Sequence, residues 1–83
     1  MATYYFHLLN DVDVLLDPEG RELDGDKIAS AALAEARAII AADVRDGRVD
    51  LDHGIEVQDS SGKMVHRISF EDAVRVIRAP NPA

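Results

Sequence analysis

The sequence predicts an α+β domain of the form β-β-α-β-β(-α). The expected architecture is a four-stranded mixed sheet with one long helix across one face, in a β-grasp-like arrangement. Three observations predict it. An alanine-rich stretch from Asp26 to Arg45 repeats its apolar residues at helical spacing. Before it, Thr3 to Asp17 holds two apolar runs around the polar break Asn10-Asp11, the pattern of a strand hairpin. After it, Ile55 to Ser69 repeats that pattern.

The first strand is Thr3–Leu9. Strand residues alternate faces, so Tyr4, Phe6 and Leu8 share one face and Tyr5, His7 and Leu9 the other. Both sets are largely apolar, the pattern of a strand covered on both sides, which places it inside the sheet. Val12–Leu16 is the second strand, and Asp17-Pro-Glu-Gly20 is a turn. Asp24-Gly-Asp26 offers carboxylates to cap the helix. At about 100° per residue, Ala29, Ala32, Leu33, Ala36, Ile39 and Ile40 form its inward stripe. Gly47 stops it.

The third strand has Ile55 and Val57 alternating with Glu56 and Gln58, one apolar face and one wet face, which suits an edge. Asp59-Ser-Ser-Gly62 is a turn, and Met64–Phe70 is the fourth strand. Ser69 and Asp72 start a short helix of about two turns with Phe70, Ala73, Val74 and Ile77 inward, ended by Pro80 and Pro82. The crossover helix returns the chain so that the third strand runs parallel to the second. The favoured sheet order is then 2-1-4-3, with the first and fourth strands parallel in the middle, and 2-1-3-4 is its rival. One helix covers one face, so the C-terminal helix or a partner subunit is expected on the other.

The chain reads as a single domain over residues 1–83, with a core over about 3–78 and a loose tail over 79–83. It has no cysteine, which excludes disulfides and thiolate chemistry. The net charge is −7 and uneven: residues 1–62 carry 14 acidic and 5 basic side chains, whereas residues 63–83 carry 2 and 4. An acidic body repels phosphate backbones, so no nucleic-acid partner is expected. The apolar start Tyr4–Leu9 is short and lacks a basic leader, and no run approaches the roughly 20 apolar residues of a membrane helix. A cytoplasmic protein without membrane contact is the expectation.

Catalytic motifs are weak throughout. His7 and His66 would share a face if the first and fourth strands were neighbours, giving an acid–base or metal pair. Against that stands the plainer reading of two hydrogen-bonded strand histidines, since no third ligand lies at metal-site spacing. The acids from Asp11 to Asp26 fail the EF-hand pattern, with Leu15 and Leu16 at loop positions that need an acid and a glycine. They read as turns, caps and solvated charge. No serine sits in a Gly-x-Ser-x-Gly setting, and no phosphate loop is present. The expectation is no enzyme, no cofactor and no bound zinc or calcium. What remains is a non-catalytic interaction module that forms a homodimer through Tyr5, His7 and Leu9. The alternative is an acidic, antitoxin-like decoy for a basic protein partner such as a nuclease or regulator.

Four segments together resemble a known family: Tyr4-Tyr-Phe-His-Leu8, Asp17-x-Glu19-Gly20-x-Glu22-Leu23, the alanine-rich helix, and Ile55-Glu-Val57 with Asp59-x-x-Gly62. The chain is similar over about residues 3–74 to short bacterial proteins grouped as a domain of unknown function. That resemblance implies a small cytoplasmic bacterial protein and brings no catalytic residues with it.

Overall fold

Strand β1 (Ala2–Leu9) is the element on which the rest of the sheet is laid. In the computed structural model, which describes residues 1–79, both of its edges are paired. On one edge lie two short pieces, β2 (Val14–Leu15) and β3 (Arg21–Leu23). On the other lies β4 (Gly54–Asp59), followed by β5 (Met64–Ser69) at the far edge. Helix α1 (Ile28–Arg45) crosses one face, and the single turn α2 (Phe70–Ala73) closes the end of the core beside it. The order β-β-α-β-β and the interior place of the first strand follow the sequence expectation.

The strand order and directions are corrected. Every adjacent pair of strands among the described residues is antiparallel, so the sheet is neither mixed nor β-grasp-like. Its order is the rival one, with β4 rather than β5 beside β1. The direction argument survives, because β4 runs parallel to β2 and β3, but β1 lies between them. The central place goes to the strand with the better core face. Ile55 and Val57 of β4 are fully buried, whereas β5 carries Arg67 and His66 and tolerates an edge. The alternation in β4 reports one covered face, not an edge position.

Helix α1 meets the sheet through a ridge at every fourth residue: Ile28, Ala32, Ala36 and Ile40 are buried. Ala32 and Ala36 have 0% exposure, because their methyl groups bring the helix backbone close over Phe6, Ile55 and Val57. Ala29, expected in this stripe, is exposed, and Ile28 takes its place. The predicted carboxylate cap is absent. A 3-10 turn over Gly25–Lys27 leads into α1, and no side chain caps either start. The Lys27 N–H instead donates to the Asp24 carbonyl at 2.9 Å. At the other end Gly47 has φ +88°, and the N–H groups of Gly47 and Arg48 reach back to the carbonyls of Val44 and Asp43. That is the left-handed glycine stop the sequence predicts.

Phe70, fully buried, anchors the C-terminal side of the core. Ser69 caps α2 by accepting the Asp72 N–H at 3.2 Å, as its sequence suggests. The helix is shorter than expected, since Val74 is already extended with ψ 159°, and Val76 and Ile77 are exposed. Arg37 Nε donates to the Ala73 carbonyl at 2.8 Å, holding α2 against α1 on the helical side of the sheet. It therefore does not cover the other face. Pro80, Pro82 and most of the predicted loose tail lie outside the described residues.

The alanine ridge makes a test. Ala36→Leu is expected to lower stability by about 1–3 kcal/mol through overpacking. Ala34→Leu, on the exposed side of the same helix, should be close to neutral. Urea denaturation of both variants measures the contrast, and equal costs would contradict the packing described.

Candidate functional site

The face of the sheet opposite α1 is built from Thr3, Tyr5, His7 and Leu9 of β1 with their cross-strand partners. The register sets Tyr5 beside Gln58, His7 beside Glu56 and Leu9 beside both Gly54 and Val14. Tyr5 and Leu9 are half-buried and His7 is 7% exposed. The Tyr5 and His7 rings lie nearly parallel, at 11°, with centroids 6.4 Å apart. The three residues predicted as an interface do share one face.

His7 owes its burial to a loop that the sequence reads as a simple turn. Leu8 pairs with Leu15, but Tyr4 pairs with Arg21. Two more residues therefore lie between the pairs on the edge side than on β1, and the excess, within Leu16–Gly20, bulges out. Asp17 repairs the break. Its Oδ2 accepts the Phe6 N–H at 3.1 Å, and its Oδ1 accepts the N–H groups of Glu19 and Gly20, both at 3.1 Å. Its own N–H donates to His7 Nδ1 at 3.0 Å. Gly20, at φ +69°, backs onto β1 so closely that a Cβ would sit 2.9 Å from Thr3 and from the Tyr5 ring. Asp17 and Gly20 are thus structural, and His7 is a hydrogen-bonded strand residue.

His66 pairs with Val57, which pairs with Phe6, so it shares the helical side of the sheet, whereas His7 is on the open side. The two histidines do not converge, because β4 separates their strands. A different group does. Asp11, Asp50 and His53 bring donor atoms within 4.8 Å of one another at one end of the sheet. Local spacing gives no sign of it, since Asp11 belongs to the turn after β1 and the others to the loop before β4. The register signals it: Leu9 pairs with Gly54, so the residues flanking that pair are neighbours. No pocket opens among the described residues, and no helix there is long and apolar enough to cross a membrane.

A helix-backed antiparallel sheet whose edge strand is broken around a half-buried aspartate defines a small α+β domain, with no recognisable reaction centre among the described residues. The chain belongs to the family described as Domain of unknown function (DUF6894), whose model matches residues 3–71. No curated protein and no solved structure matches it significantly.

Asp17 gives a stability prediction with a pH signature. Partial burial by itself pushes its carboxyl up, but the N–H groups of Phe6, Gly20 and Glu19, with the Arg21 guanidinium, outweigh it and hold the pKa below 3.8. A depressed folded-state value means the stabilisation is fully present above the unfolded value. It is lost as the pH falls below 3.8 through the folded value. Asp17→Ala is expected to cost about 2–3 kcal/mol at neutral pH, because it strands the Phe6 N–H. Denaturation from pH 7 to 2 should show the gap between variant and parent narrowing at the acid end.

Proposed function

We propose that this domain is a non-catalytic protein–protein interaction module that self-associates as a homodimer. Its contact surface would run over the open face of β1, centred on Tyr5 and Leu9 with His7 beneath them, and onto β2. The observation that carries this reading is the apolar character of the β2 edge. Val12, Val14, Leu15 and Leu16 are all exposed, Leu16 at 71%, and Val14 lies directly beside Leu9. A sheet edge offers unpaired N–H and C=O groups, and proteins ordinarily guard it with charge. Here four apolar side chains stand exposed at that edge, with Asp11 and Asp13 among them. A second copy is the occupant we favour, because it brings the same short strand in antiparallel register, the self-complementary contact of a two-fold dimer. Charge supports it, since residues 1–62 are strongly acidic and Lys63, Arg67, Arg75 and Arg78 supply basic partners on the twin.

Light scattering of the parent chain near neutral pH is expected to report about twice the chain mass of 9.1 kDa. Leu16→Lys should return it to the monomer with its fold intact, since that side chain already meets solvent. Tyr5 is the poorer choice for substitution because it packs on Gly20. A parent chain that stays monomeric at high micromolar concentration would sink the proposal. Salt-sensitive capture of a basic protein by such a monomer would favour the acidic decoy, because attraction between exposed charges is screened.

A further inference from the structure

We propose that Asp11, Asp50 and His53 form a binding site for a divalent transition-metal cation of the zinc class. The site clasps the turn after β1 to the loop before β4. His53 Nε2 lies 3.1 Å from Asp50 Oδ2, and the Asp11 carboxylate brings the whole trio within 4.8 Å. Ligands about 2.1 Å from a tetrahedral zinc stand about 3.4 Å apart. The His53–Asp50 pair is already near that spacing. Asp11 is exposed and closes the rest by turning its side chain. One imidazole nitrogen with two carboxylate oxygens is a mixed donor set. It suits zinc better than calcium or magnesium, which take oxygen ligands throughout. Three protein ligands leave a fourth position for water.

The donors are held by their surroundings. Asn10 Oδ1 accepts the N–H groups of Val12 at 3.1 Å and Asp13 at 2.7 Å, which fixes the turn that carries Asp11. Asp50 Oδ1 is engaged by the Asp52 N–H at 3.1 Å, leaving Oδ2 for the site. His53 is tethered through its carbonyl, which accepts the Phe70 N–H at 2.8 Å, and its ring leans on the buried Phe70 ring at 5.8 Å. Arg48 also approaches Asp50 Oδ2, at 3.4 Å, but its side chain is 63% exposed and the contact is easily given up. Two carboxylates from loops distant in sequence thus converge on one imidazole with a single, loosely held guanidinium beside them.

The test is a titration of the full chain with zinc chloride near neutral pH, followed by imidazole nitrogen–proton NMR and by calorimetry. The expected result is a shift confined to the His53 ring and a rise in Tm. Asp11→Asn, at an exposed position, should keep the fold and weaken zinc binding by at least about tenfold, the loss that even an outer-shell partner produces. His53→Gln should abolish the binding, and His66→Gln should leave it unchanged. Three results would overturn the proposal. They are a zinc-induced shift at His7 or His66 instead, an Asp11→Asn variant that binds as tightly as the parent, which leaves an ordinary Asp50–His53 ion pair, and equally tight binding of calcium chloride.

Discussion

A sheet of this width has two faces, and α1 is the one described element long enough to roof either of them. Its 18 residues span about 27 Å, and its alanine ridge lets it lie close over β1 and β4. Once that ridge is seated, Phe6, Ile55 and Val57 are sealed beneath it and Phe70 plugs the end. The remaining short elements are arranged around this one apolar contact. Antiparallel neighbours complete the backbone pairing, and α2 packs beside α1 because the core it closes is on that side.

The opposite face is solved differently. No second helix reaches it among the described residues, yet β1 presents Tyr5, His7 and Leu9 there. The bulge at Leu16–Gly20 is a local answer. It folds an edge loop back over His7 and uses one carboxylate to satisfy the backbone donor that the broken ladder strands. An unpaired buried N–H costs about as much as several good surface contacts contribute, so a single aspartate is an efficient repair. The same break splits the edge strand into β2 and β3. It leaves β2 short and apolar, which is why the proposed interface extends from the open face of β1 onto that edge.

Register also fixes what meets what at the ends of the sheet. Pairing Leu9 with Gly54 brings the turn after β1 against the loop before β4, and with it Asp11 against Asp50 and His53. In sequence these residues look like solvated turn acids and a lone loop histidine. Their meeting is a consequence of strand order, which the sequence leaves open between 2-1-4-3 and 2-1-3-4.

What the sequence by itself determined is the set of local features. The amphipathic period of α1, the alternation in β1 and β4, the glycine stop at Gly47 and the serine cap at Ser69 are written in neighbouring residues, because dihedral preference and face periodicity are short-range. The helix start differs from the sequence expectation, since a run of acids looks like a cap even where a backbone carbonyl takes the Lys27 N–H instead. The tertiary structure decided the rest. Whether β4 or β5 lies beside β1 depends on which core face best fills the space under α1, a comparison between segments distant in the chain. The role of Asp17 depends on a two-residue mismatch between strands, which no local pattern records. Placing His7 and His66 on opposite sides of the sheet and drawing His53 toward Asp11 both followed from that one choice of neighbour, because a strand's position in the sheet settles which side chains share a face and which loops share an end.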